Sequence, residues 1–277
     1  MKFPKTWKVN RPKDFQAMKK QKEKYPDQVM QILDTSDVII QVLDARFPEE
    51  TRNKPIEDIV KKKRKKLIFV LNKSDLVDKE KYKVPNEIKP FVFVSSKNRE
   101  GSRALRELIK QQIKSRNEKF NRSQVGIIGY PNTGKSSLIN FLIGKASAKT
   151  AYEAGFTKGI QKLRLTKEIL LMDTPGVIPK EKYSHTEHNK LSHHVKVGAR
   201  NYDKVKDPEF IVADLVKEYS NEIGAYYNLD FKQDPEVLIE QLGRKRNFLS
   251  KGGIVDEDRT ARSILRDWQE GKIVPDM

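Results

Sequence analysis

Residues 129–136 read Gly-Tyr-Pro-Asn-Thr-Gly-Lys-Ser, directly after the apolar run Val125–Ile128 and directly before a helical pattern through Leu138, Ile139, Phe141 and Leu142. A glycine-rich turn between a strand and a helix N-terminus aims several backbone N–H groups at one point, where the helix dipole also favours negative charge. That arrangement holds phosphates. Asn132, Thr133, Gly134 and Ser137 belong to the wrap, Lys135 is expected to neutralise β- and γ-oxygens, and the Ser136 hydroxyl is expected to ligate Mg²⁺. Asp173-Thr174-Pro175-Gly176 closes the apolar run Ile169–Met172, two strands after the loop. A carboxylate there reaches Mg²⁺ through water, although the same four residues standing alone would read as a turn.

Two more loops follow apolar runs, and both lie earlier in the chain. Asn72-Lys73-Ser74-Asp75, after Leu67–Leu71, resembles the N-K-x-D element with which Ras-like GTPases recognise guanine. The resemblance implies that Asp75 accepts from guanine N1–H and the exocyclic amine, donors that adenine does not present together. ATP would leave a desolvated carboxylate unpaired. Ser95-Ser96-Lys97, after Phe91–Val94, resembles the companion S-A-K loop whose backbone contacts the base. In Ras-like proteins the base-binding pair comes last, whereas here it precedes the phosphate loop. Such a permutation preserves a site assembled from loops at the carboxyl ends of neighbouring parallel strands, whatever their chain order.

With these motifs the chain resembles the YlqF/YawG family of circularly permuted GTPases along nearly its whole length. Asp44-Ala45-Arg46-Phe47-Pro48 is similar to the family's D-A-R-x-P, and Gly155-Phe156-Thr157-Lys158-Gly159 to its switch I. Gly252-Gly253-Ile254-Val255-Asp256 with Ile264-Leu265-Arg266-Asp267-Trp268 is similar to its helical C-terminal domain. The resemblance implies GTP and GDP as ligands, Thr157 closing on Mg²⁺, and slow hydrolysis with Lys135, Thr157 and Gly176 as the catalytic set. It also implies a role in assembly of the large ribosomal subunit, through rRNA contact, by a monomeric protein. Val177 stands where Ras-like enzymes carry a water-orienting Gln. The family shares that apolar residue, and its members with Asn at position 132 imply a K⁺ ion that supplements the charge on the phosphates. Phe3-Pro4-Lys5 lacks the histidine of bacterial relatives, so no role is carried over for it.

The elements that must position these loops are legible as alternating apolar runs. Strands are expected at Val38–Leu43, Leu67–Leu71, Phe91–Val94, Val125–Ile128, Lys162–Leu165 and Ile169–Met172, with a helix through Ala104, Leu105, Leu108, Ile109 and Ile113. Strands alternating with helices over short connections indicate an α/β protein with a mostly parallel, doubly wound sheet. An amphipathic stretch over 14–33, interrupted at Pro26, precedes the sheet, and the pattern from Pro208 onward is helical. The expected division is a basic N-terminal extension (1–30), a circularly permuted Ras-like GTPase domain (31–180), a linker (181–207) and a small helical C-terminal domain (208–277).

Charge is distributed unevenly across these parts. The 277 residues carry a formal +18, yet residues 208–277 hold 10 basic and 14 acidic side chains, a net −4, which leaves +22 on residues 1–207. An excess of that size indicates a polyanionic partner, here nucleic acid, and the Lys61–Lys66 run KKKRKK is its densest patch. No apolar run approaches the length of a membrane span and the N-terminus has no signal-peptide core, so the expected location is cytoplasmic. Cysteine is absent, which excludes disulfides and thiolate metal sites. His185, His188, His193 and His194 sit in a basic stretch without acidic companions, which favours solvent- or RNA-facing side chains over metal ligation. A different class of function remains open at this level: a GTP-dependent accessory for RNA modification, whose C-terminal helices bind a partner protein.

Overall fold

The computed structural model describes residues 28–113, 122–144, 161–173 and 188–275. Six strands form one sheet: β1 (Val38–Asp44), β2 (Lys66–Asn72), β3 (Phe91–Val94), β4 (Ser123–Gly129), β5 (Gln161–Arg164) and β6 (Ile169–Asp173). Their order is β3-β2-β1-β4-β6-β5. β5 pairs antiparallel to β6, and every other pairing is parallel. The reason is visible in β1, whose VIIQVLD is buried at every position, as a central strand covered on both faces must be. The expected strands are all present, with ends displaced by one or two residues.

Helices cover both faces. On one side α4 (Ser102–Ile113) and α5 (Lys135–Ile143) pack Leu105, Ile109, Leu138 and Leu142 against Ile40, Val42 and Ile127. On the other, α1 (residues 28–35) and α3 (Lys54–Lys62) pack Ile32, Leu33 and Val60 against Ile39 and Ile128. The expected boundary at residues 30/31 therefore falls inside a helix, because Val29, Ile32 and Leu33 together cover the sheet. A short α2 (Pro48–Thr51) precedes α3. Most of the expected amphipathic stretch 14–33 lies outside the described residues.

The C-terminal part is α6 (His188–Lys196), α7 (Pro208–Tyr227), α8 (Pro235–Lys245) and α9 (Glu257–Gln269). Asp234 and Asp256 cap α8 and α9 by accepting from backbone N–H groups two or three residues on. The core of this part holds Ile211, Leu215, Leu238, Ile264 and Trp268, together with Val195, Val197 and Val205. Residues 188–207 are thus part of the helical domain instead of the expected linker, since three of their valines are needed to fill its core. Phe47 from the sheet domain joins the same cluster, its ring stacked 5.9 Å from that of Trp268. Among the described residues no helix is long and apolar enough to cross a membrane.

Candidate functional site

The strand order reverses direction between β1 and β4, the place where open α/β sheets leave a crevice for a ligand. All five parallel strands deliver a motif residue to that end: Asp44 from β1, Asn72 from β2, Ser95 just past β3, Gly129 from β4 and Asp173 from β6. The KKKRKK run lies at the opposite pole, where β2 begins. There Lys63 pairs with Asp34 at 2.5 Å and Lys65 donates to the Ser36 carbonyl at 2.7 Å.

The phosphate loop turns tightly into α5. Gly134 holds φ +90°, and a Cβ there would stand 2.2 Å from Asn72 Nδ2, so conformation and close approach both require glycine. Thr133 closes the turn by donating its hydroxyl to the Tyr130 carbonyl at 3.0 Å. Lys135 is buried and donates to the Gly129 and Tyr130 carbonyls at 3.0 and 2.6 Å. Burial pulls its pKa down to about 8, with the Asp173 carboxylate opposing in part. An ammonium held among carbonyls at such a cost is one that an anionic ligand would stabilise. Ser136 and Ser137 are exposed on the first turn of α5, while Asp173 is buried at the end of β6.

On the base side, Asn72 joins three loops. Its Nδ2 donates to the Thr133 carbonyl at 2.8 Å, and its Oδ1 accepts from Ser96 N–H at 3.3 Å and Ser96 Oγ at 3.0 Å. Both polar ends of the side chain are thereby engaged by protein, and its part is to set the spacing between the base loops and the phosphate loop. Ser95 Oγ donates to Asp75 Oδ1 at 2.6 Å and also receives Asn98 N–H, which fixes the carboxylate in place. Ser74 is buried, and Lys97 is exposed. Lys73, Asp75, Ser96, Lys97 and Gly134 border a cavity of about 270 Å³.

Two features of the site carry no signal in the motif spacing. Asp44 is fully buried and accepts from Arg46 Nε at 3.1 Å, Arg46 Nη2 at 2.8 Å and Lys73 Nζ at 2.7 Å. Burial alone would raise its pKa, but Arg46 and Lys73 overcome this and hold it at about 2. The D-A-R-F-P segment is therefore an electrostatic anchor for the base-loop lysine. The second feature is that the cavity is also bordered by Gln269 and Glu270 of the helical domain, residues far away in sequence.

Asn132 points to the same domain, its Nδ2 donating to the Gly198 carbonyl at 2.7 Å. His193 and His194 are half-buried on α6 instead of exposed, with rings 6.1 Å apart. Among the described residues no group of His, Asp and Glu could hold a metal by itself. His185, Thr157, Gly176 and Val177 lie outside the described residues, as does the His188 side chain.

A parallel sheet with a glycine-rich phosphate loop at its switch point, flanked by an N-K-x-D loop that precedes it in sequence, defines a circularly permuted P-loop GTPase fold. The family model described as 50S ribosome-binding GTPase matches residues 124–237. An uncharacterized GTP-binding protein of Methanocaldococcus jannaschii is 45% identical over 88% of this chain and 65% of its own length. Nucleolar GTP-binding protein 2 of Saccharomyces cerevisiae is 35% identical over 92% of this chain and 53% of its own. The chain thus spans about two thirds of the first relative and about half of the second. Crystal structures of YlqF from T. maritima superpose with TM-scores of 0.62 (GNP-bound, 24% identical, covering 90% of this chain and 94% of that one) and 0.61 (GDP-bound, 25% identical, covering 88% and 95%). Its motifs, its fold and these relatives make the chain similar to the YlqF/YawG family of circularly permuted GTPases.

Proposed function

We propose that this protein binds GTP and hydrolyses it slowly, as a switch that acts on the large ribosomal subunit during its assembly. The observation that carries the nucleotide reading is the base cavity. A carboxylate fixed by Ser95 and a lysine anchored by Asp44 border one cavity, and Asn72 ties their loops to the phosphate loop. That geometry favours a base with adjacent N–H donors joined to a polyphosphate, which is guanine nucleotide.

Ser136 and Asp173 offer only hard oxygen donors beside Lys135, a set that suits Mg²⁺, and they are the residues that would hold it, with Thr157 completing the site. Mg²⁺ when bound would neutralise charge on the β- and γ-phosphates. Lys135 supplies the nearest fixed positive charge, the loop N–H groups orient the phosphates, and Gly176 would sense the γ-phosphate. Val177 cannot orient water, so turnover without an activator is expected to be slow. The Asn132 carbonyl oxygen is the group a K⁺ ion would use, since its amide nitrogen is taken up by Gly198.

The ribosomal part of the proposal rests on the description of the matching family model, on the names of the nucleolar relatives and on the +22 carried by residues 1–207. rRNA is the polyanion proposed for that surface. The place of action is where large subunits are assembled. Co-sedimentation with large-subunit precursors, with a non-hydrolysable GTP analogue and with GDP, tests the reading. Association with the analogue and release with GDP is expected; sedimentation independent of nucleotide would remove the switch, and no association at all would remove the ribosome.

A further inference from the structure

Two structural features join the base cavity to the helical domain. The first is a wall. Gln269 and Glu270, at the end of α9, border the cavity together with Asp75 and Leu76. The next residue, Gly271, packs so closely on Leu76 that a Cβ would come within 2.4 Å of a Leu76 methyl, and its φ of +74° suits glycine alone. Gln269 is locked in turn, its amide donating to the Val195 and Arg200 carbonyls at 2.9 and 2.8 Å. This stretch therefore cannot move without carrying the helical domain with it.

The second feature is a run of charge-assisted bonds. Lys73 borders the cavity and donates to Asp44, which is held by Arg46 through Nε and Nη2. Arg46 Nη1 donates across the domain boundary to the Trp268 carbonyl at 3.1 Å. Arg46 and Asp44 are buried, so water competes little for these bonds. The relay ends one residue before Gln269, on the same helix end that forms the wall.

We propose that the helical domain supplies one wall of the guanine site, so that occupancy of the base cavity, independently of the γ-phosphate, fixes that domain against the sheet. The proposal rests on the nucleotide reading given above. A base seated between the Asn72–Leu76 loop and the end of α9 touches both domains, and it stabilises their packed arrangement by its differential affinity for that arrangement. GDP and GTP carry the same base and act alike through this route, whereas a γ-phosphate switch separates them.

Hydrogen exchange on the full chain with Mg²⁺ decides it. The amides of Glu270, Gly271 and Lys272 bond to the carbonyls of Arg266, Trp268 and Asp267, and their exchange reports the order of this helix end. GDP is expected to slow their exchange about tenfold, within the usual range of coupling between sites. A GTP analogue is expected to slow it no further, and the interior amides of α8, remote from the cavity, serve as the reference. Gly271→Ala, whose Cβ would push against Leu76 and loosen the contact from outside the cavity lining, is expected to lose the effect at Glu270 and Lys272 while Asn72–Asp75 stay protected.

If GDP protects Asn72–Asp75 but leaves residues 270–272 unchanged, or if protection there requires the analogue, the inference is overturned and the proposed function stands. If GDP protects neither segment, the nucleotide reading falls and the inference with it. Equal protection across α8 would show general stabilisation and also overturn the inference.

Discussion

Lys135 is buried among the Gly129 and Tyr130 carbonyls, and its pKa of about 8 leaves it half-protonated in mildly alkaline buffer. A polyphosphate seated on the loop reverses the balance, because two or three anionic oxygens favour the ammonium and raise its pKa far above 8. Nucleotide binding must then take up a proton wherever the free protein has lost it. With a pKa of about 8 the uptake is about half a proton per nucleotide at pH 8 and about a tenth at pH 7, and affinity falls about tenfold per unit well above pH 8. The sign for folding agrees: a lysine with a lowered pKa weighs against the folded, ligand-free state at neutral pH, and stability rises as pH passes from about 8 toward the ordinary 10.5. Titration calorimetry of GDP at pH 7 and 8, in two buffers of different ionisation enthalpy, reads the uptake directly. At pH 8 guanine itself is still protonated, so the signal belongs to the protein. Lys135→Met should abolish the uptake along with most of the affinity. A binding heat at pH 8 that does not depend on the buffer would refute the argument that the buried ammonium is waiting for phosphate.

Replacing Asp75 by Asn exchanges an acceptor for a donor, and competition binding should show guanine preference over adenine falling by about 100-fold, the cost of leaving buried donors facing donors. Asp44→Asn leaves Arg46 and Lys73 without their counter-charge and should destabilise the protein by about 3–5 kcal/mol in urea unfolding. In the wild type the Asp44 contribution is complete above its ordinary pKa of 3.8 and is lost as pH falls through about 2, so the acid limb of the stability profile should flatten in the variant. Exchanging K⁺ for Na⁺ at constant ionic strength should slow GTP hydrolysis, and Asn132→Ala should remove the difference; equal wild-type rates in both salts would exclude K⁺. Filter binding to large-subunit rRNA across a salt series should weaken steeply, and neutralising the Lys61–Lys66 run should flatten that slope, since each phosphate contact releases counter-ions.

The sequence by itself determined the sheet and the residue types of the loops proposed to hold the nucleotide. Val38–Asp44 is apolar enough to be only a central strand, and Gly129–Ser136 and Asn72–Asp75 are local patterns whose conformation is set by their own residues, such as the left-handed glycine at 134 that caps the helix. The order of these motifs also announced the permutation, because chain order is all that a permutation changes. Val195, Val197 and Val205 lie in a polar stretch without clear periodicity, so only packing revealed that residues 188–207 complete the helical core. Tertiary structure alone brought Arg46 to the Trp268 carbonyl and placed Gln269 and Glu270 on the base cavity. These contacts span more than 130 residues of chain, and no spacing rule reaches that far. A hydrogen bond to a backbone carbonyl also leaves no mark on the identity of the residue that accepts it. The local motifs could thus be read in one dimension, while the wall that closes the site exists only once two separately folded surfaces meet.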